Sequence, residues 1–274
     1  MVGERIRRRD VLRTIGAVGA IPFTSTCVSG ERPCSGPRTS DTNLPFDTGG
    51  QYGGWGGHEF HGTQSGHTQN PVVFVHGNTR DACDFSKHAG VFLERGYLGD
   101  ELWSITFREG TSTHSEMRDQ LEAFVSNVLA YTGASSVDII AHSLGVTGAR
   151  FWLAELDRYS SVDTFVGLAG ANHGTSTCPT CSAYAGWGEP CQFISPACAD
   201  EPGEPLYELN HPDETPGAVE YYTIRGSNDA FYPVDKDSPI LDGARENVLL
   251  DGADHDQVRA SDRSIDLQYE WITE

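Results

Sequence analysis

Lysine is almost missing from this chain. Of 274 residues, 19 are Lys or Arg and 39 are Asp or Glu, for a formal net charge of −20. Only Lys87 and Lys236 are lysines. A nucleic-acid-binding surface needs clustered Lys and Arg against phosphates, so that class is excluded. Adsorption to anionic headgroups through a basic patch is excluded on the same ground. Long apolar runs are missing too, and Ile15-Gly16-Ala17-Val18-Gly19-Ala20-Ile21 is too short to cross a bilayer. Disorder does not fit, because 38% of residues are hydrophobic and the acids are spread along the chain. An acidic, lysine-poor surface suits a halophilic source, since salt screens its self-repulsion. The alternative is an acidic secreted protein from a GC-rich genome. The length allows one large domain or two small ones.

The few basic residues are unevenly placed. Arg5, Arg7, Arg8, Arg9 and Arg13 precede the short apolar run, which reads as a signal peptide over residues 1–26. The Arg8-Arg9 pair resembles a twin-arginine export signal; a basic helix start is the alternative. Without residues 1–26, which hold five arginines and two acids, the charge is three units more negative. Seven cysteines is an odd count. Cys27, just past the apolar run, is placed like the lipidated cysteine of a lipoprotein, which implies a lipid anchor. The other six are Cys34, Cys83, Cys178, Cys181, Cys191 and Cys198. In an exported protein an even set reads as three disulfides, at least one of them local to 178–198. A zinc site on Cys178-x2-Cys181 is the rival.

Residues 27–70 read as a linker followed by Gly-rich loop or edge structure. His58, His61 and His67 lie there with Glu59; a metal site is one reading and solvated loop histidines the other. The regular domain is expected over 71–274. Strands are expected at 71–77, 102–107, 137–141, 162–169, 219–224 and 248–250, and helices at 84–95, 115–132 and 145–158. Alternation of this kind implies an α/β fold with a mostly parallel sheet and helices on both faces. Residues 171–218 interrupt it with four cysteines and seven prolines, and read as a stapled insertion.

Ala141-His142-Ser143-Leu144-Gly145 joins a strand to a helix. A serine hydroxyl is a weak nucleophile and must stand exposed on a sharp turn beside a base. The Leu144 N–H, at the helix start, points at a developing oxyanion. A second donor should follow an earlier strand: Asn78, after Val75-His76-Gly77, is the candidate and Thr79 its rival. The acid and base follow the serine in chain order. Asp229 lies just past a strand, with Asp235 and Asp237 as more distant alternatives. His255 is the only histidine after Asp229. His76, His142 and His173 are expected to serve packing or hydrogen bonding.

Together, residues 71–78 (PVVFVHGN), 137–150 (VDIIAHSLGVTGAR), 162–174 (VDTFVGLAGANHG) and Asp254-His255 resemble the α/β-hydrolase superfamily. Within it they are similar to the class 2 lipases of the EstA/EstB type, over roughly residues 70–260. The resemblance implies a secreted carboxylester hydrolase, lipase or esterase, with Ser143, Asp229 and His255 as triad and no cofactor. It implies an ester substrate: an acylglycerol, a short-chain ester or a polyester. A related branch cuts polyhydroxyalkanoates, so a depolymerase is the alternative, and a non-catalytic surface binding protein with the same fold is the third reading. The insertion is where this superfamily carries a lid or substrate wall. Tyr184, Trp187, Phe193, Phe231 and Tyr232 are apolar candidates for that wall or for ordinary packing.

Overall fold

A computed structural model describes Cys34, residues 38–178 and residues 188–274. Among the described residues, seven strands form one sheet: β1 (Tyr52–Gly56), β2 (Val72–Val75), β3 (Leu102–Phe107), β4 (Val137–His142), β5 (Val162–Leu168), β6 (Glu220–Gly226) and β7 (Glu246–Leu250). Their order is β1-β3-β2-β4-β5-β6-β7, and only β1 runs antiparallel. The central strands β2, β3 and β4 are buried along their whole length. That is why they read as continuous apolar runs rather than alternations: helices cover both faces of the sheet. The helices in chain order are α1 (Gly57–His61), α2 (Ser86–Glu94), α3 (His114–Thr132), α4 (Leu144–Glu155), α5 (Gly188–Phe193), α6 (Pro196–Ala199), α7 (Pro205–Asn210), α8 (His255–Ala260) and α9 (Asp262–Trp271). Helix α3 follows a capping box between Thr113 and Glu116 and stops at Gly133 in the left-handed region. It lies so close to α4 that a Cβ on Gly148 would sit 2.7 Å from the Met117 sulfur.

The stretch read as a linker followed by loop or edge structure contains β1, the edge strand of the sheet, and α1, so the sheet begins well before residue 71. β1 is Tyr-Gly-Gly-Trp-Gly, with no β-branched residue. Its glycines are demanded by close neighbours: a Cβ on Gly54 would fall 2.0 Å from the Ser104 carbonyl oxygen of β3, and one on Gly53 would fall 2.2 Å from the Ser40 carbonyl oxygen. Two carboxylates hold the following loop. Asp100 accepts the backbone N–H groups of His58 and Gly66 and pairs with His58 Nδ1 at 2.9 Å. Glu101, wholly buried, accepts those of Thr68, Gln69 and Leu98. The metal reading of His58 and His61 gives way to these contacts, since His61 Nε2 bonds the Leu102 carbonyl instead.

Cys34 bridges Cys83, and Cys178 bridges Cys191, 13 residues away within the insertion. The zinc alternative on Cys178 is thereby overturned. Cys198 is also disulfide-bonded; Cys27 and Cys181 lie outside the described residues. The insertion's far end is held by Arg150, buried in α4. Its guanidinium donates to Asn172 Oδ1, Asn210 Oδ1 and the carbonyls of Leu209 and Glu214. Asn172 in turn donates to the Pro239 carbonyl. The Ala-Asn-His segment therefore joins the loop after β5 to the insertion and to the loop after β6.

Asp138 sits on β4 with its side chain buried, accepting the Thr164 N–H at 3.1 Å. Burial pushes its carboxyl up to about 7, above the ordinary 3.8. A folded-state pKa raised in an acid means that the native state keeps a proton the unfolded chain releases. Stability is then lost as pH rises from about 4 to 7. Asp138→Asn keeps the acceptor and removes the charge. It is expected to raise the melting temperature at pH 8 and to narrow to nothing the difference from wild type near pH 4, measured by thermal denaturation across pH.

Candidate active site

Ser143 stands between β4 and α4 with φ 55° and ψ −126°. A non-glycine residue holds such a backbone only where its surroundings impose it. Here its N–H is taken by the Leu168 carbonyl at 2.8 Å, and two glycines let neighbouring chain pass. A Cβ on Gly77 would lie 2.8 Å from Ser143 Cβ, and one on Gly145 would lie 2.5 Å from the His76 carbonyl oxygen. The small residues around the serine are thus a packing requirement.

His255 opens α8. Asp254 caps that helix, its Oδ1 accepting the Gln257 N–H at 2.8 Å while Gln257 Oε1 accepts the Asp254 N–H at 3.0 Å. This reciprocal cap fixes the start of the helix whose first residue carries the imidazole. The loops after β6 and β7 are joined by backbone bonds from Ser227 to Leu250 and from Asn228 to Ala253. They bring Asp229 beside His255. His255 Nδ1–H donates to Asp229 Oδ2 at 2.7 Å, and His255 Nε2 accepts from Ser143 Oγ at 2.9 Å. Asp229 is 1% exposed; its Oδ1 accepts the Phe231 N–H at 2.9 Å, and Lys236 Nζ donates to its backbone carbonyl. Phe231 stacks on the His255 ring, centroids 4.4 Å apart.

The flanking histidines are neutral props. His76 donates from Nδ1 to the Gly77 carbonyl and accepts the Phe107 N–H at Nε2, which stiffens the turn before Asn78. Burial pulls its pKa down to about 3. His142 donates from Nε2 to the His255 carbonyl at 3.2 Å, and burial likewise holds it well below its ordinary range. Of the alternatives to Asp229, Asp235 accepts the Ser176 N–H and Asp237 pairs with Arg225. His173 lies apart from the serine, between Glu214 and Ser238. Thr79, the rival to Asn78, has φ 61° and its N–H is spent on the Gly110 carbonyl at 2.6 Å. The Asn78 amide is left as the second donor candidate, and Asn78 lines the same cavity as Leu144.

A cavity of about 290 Å³ opens over Ser143, lined among others by Asn78, Arg80, Thr111, Leu144, Ile194 and Phe231. Phe231 and Tyr232 thus join the site; Phe193 packs on His114 instead, and Tyr184 and Trp187 lie outside the described residues. Arg80 also grips Asp256, the neighbour of His255, at 2.9 Å. Lys87 with Asp262, Arg95 with Asp266 and Arg259 with Asp84 continue that seam between the loop and helix after β2 and the C-terminal helices. The three exposed pairs, from Arg80, Lys87 and Arg95, each contribute at most about 1 kcal/mol, whereas Arg259 and Asp84 meet largely out of water. Neither α8 nor the seam was legible in advance, although Asp254 and Gln257 at capping-box spacing are a signal for the helix.

The sheet order, the strained serine turn and the helices on both faces are those of the α/β-hydrolase fold. Solved structures share it. The mature lipase BlEst2 of Bacillus licheniformis is 15% identical, with TM-score 0.61 over 77% of this chain and 95% of that one. Aspergillus fumigatus lipase B is 15% identical, with TM-score 0.60 over 75% of this chain and 52% of that one. The lin2722 product of Listeria innocua is 14% identical, with TM-score 0.55 over 75% and 94%. At these identities the likeness is one of fold. The class 2 lipase profile, by contrast, matches the sequence itself over residues 69–269, from just before β2 into α9. The chain belongs to the class 2 lipase family.

Proposed function

We propose that the protein is an exported serine carboxylester hydrolase. Ser143 Oγ attacks the ester carbonyl while His255 Nε2 takes its proton, and Asp229 holds the resulting imidazolium. The N–H groups of Leu144 and Asn78 receive the oxyanion. Collapse breaks the carbonyl–alkoxy bond, and His255 returns the proton to the departing alcohol. Water then repeats the sequence on the acyl-enzyme and releases the acid. No metal or organic cofactor enters these steps. The unbroken hydrogen-bonded line from Ser143 through His255 to buried Asp229 is the observation that carries the reading. It also weighs against a non-catalytic binding role, which has no use for all three groups in register.

Export is supported by the disulfides and by the arginine-rich start of the sequence. A saline setting is supported by the charge of −20. The test is a fluorophosphonate probe followed by peptide mass spectrometry, with a panel of aryl esters, emulsified triacylglycerol and amorphous polyhydroxybutyrate at low and high salt. Labelling at Ser143 with ester turnover that rises with salt is expected. No labelling at Ser143 overturns the mechanism, and clearing of the polyester without action on triacylglycerol moves the substrate to the polyhydroxyalkanoates.

A further inference from the structure

This inference rests on the ester-hydrolase reading and concerns which acyl groups the site admits. The two sides of the cavity differ. Asn78, Thr79 and Arg80 follow β2 and Thr111 follows β3, so the side toward those strands is polar. Ala171 follows β5, Pro190 lies in α5 with Ile194 just after it, and Phe231 and Tyr232 follow β6; among the described residues Thr175 adds a hydroxyl on this side, and the Tyr232 hydroxyl is spent on the Ala169 carbonyl. An acyl chain, being apolar, is driven to the second side. Its wall is α5, a helix of only six residues. So short a helix takes its position from what it is tied to.

Three ties hold it. The Cys178–Cys191 bridge fixes its middle. Glu189, next to Pro190, accepts the backbone N–H of His114 through Oε2 and its Nδ1–H through Oε1, each at 3.1 Å. The carboxylate therefore sits on the N-terminus of the 19-residue helix α3, where the helix dipole favours it. The His114 ring is fully buried and lies flat on Phe193, centroids 3.4 Å apart, immediately before Ile194. On its far edge His114 Nε2 meets Thr147 Oγ1 at 2.9 Å, and that hydroxyl is 3.1 Å from the Leu144 carbonyl. One imidazole thus touches both ends of the wall and the first turn of the helix that carries the oxyanion donor. Burial keeps it below its ordinary pKa, so it meets Glu189 as a neutral donor.

We propose that the Glu189–His114 contact is the specificity-determining latch of the acyl pocket: it sets how far Pro190 and Ile194 reach into the cavity, and so the longest acyl chain accepted. Glu189→Ala removes both hydrogen bonds at a half-exposed position, whereas Glu189→Gln keeps an acceptor in place. Aryl acetate, butyrate and octanoate are compared, with active sites titrated by fluorophosphonate. Glu189→Ala is expected to raise KM for butyrate several-fold with kcat nearly held, and to shift the octanoate-to-butyrate ratio of kcat/KM about tenfold toward the longer chain. Glu189→Gln is expected to keep the wild-type profile. Hydrogen exchange read by mass spectrometry gives a measure independent of turnover: residues 190–194 should exchange faster in Glu189→Ala alone. An unchanged chain-length profile in Glu189→Ala, or equal exchange in all three proteins, overturns the latch. Wild-type protein without esterase activity overturns the parent reading instead, and the exchange result still judges the contact.

Discussion

Ser143→Ala is expected to lower kcat/KM for a short-chain aryl ester by on the order of 10⁴- to 10⁶-fold, with no loss of thermal stability. The two halves of that expectation come from different features of the turn. The rate falls because, among the described residues, Oγ is the nucleophile hydrogen-bonded to His255 Nε2. Stability holds because the hydroxyl's one partner among the described residues is that imidazole, and because alanine bears the same strain at φ 55° that serine does. Glycine at the same position is equally inactive but relieves the backbone, and should melt higher by an amount corresponding to about 1 kcal/mol. Kinetics and calorimetry on the two variants separate the chemistry from the strain. Full activity in Ser143→Ala would sink the mechanism.

Asp229→Asn is expected to cost about 10⁴ in kcat with little change in KM. The direction follows from the hydrogen-bond inventory of a buried group. The Phe231 N–H needs an acceptor, so the asparagine Oδ1 takes the place of the aspartate Oδ1. The amide NH2 is then turned toward His255 Nδ1, where a carboxylate oxygen had been. A donor facing Nδ1 forces the ring's proton onto Nε2, the nitrogen that must be bare to accept from Ser143. The imidazole stays in position and loses its function as a base. Asp229→Ala lacks that enforced tautomer and should be no worse, and the comparison of the two by steady-state kinetics is the check. A variant with near wild-type kcat would assign the acid to another carboxylate.

The serine turn was readable because its requirements are local. A strand, a tight turn with small neighbours and a helix start all fall within a dozen residues, and steric demand fixes what can stand beside Ser143. Asp229 and His255 were readable for a different reason: strands β6 and β7 are apolar enough to be seen, and the loops past their ends hold few candidates. β1 was not readable as a strand. Tyr52–Gly56 carries no β-branched residue and is a strand only because β3 lies alongside, some fifty residues on in the chain. The same holds for Cys34 with Cys83, for His114 with Glu189 and for buried Arg150 with Asn172 and Asn210. Each is a pairing whose partners are brought together by the fold and leave no trace in spacing. Periodicity shows which elements exist, whereas these polar contacts show how the elements are locked to one another.

The two side-chain amines of this protein are both already engaged. Lys87 Nζ bridges Asp262 and the Ala260 carbonyl at the end of α8, the helix that His255 begins. Lys236 Nζ holds the backbone carbonyl of Asp229. Coupling an amine-reactive dye, cross-linker or support to Lys236 would therefore load the loop that carries Asp229, and coupling to Lys87 would release the tie from α2 to the end of α8. Coupling through some of the 39 carboxylates, or through a tag, is the chemistry that leaves those segments untouched.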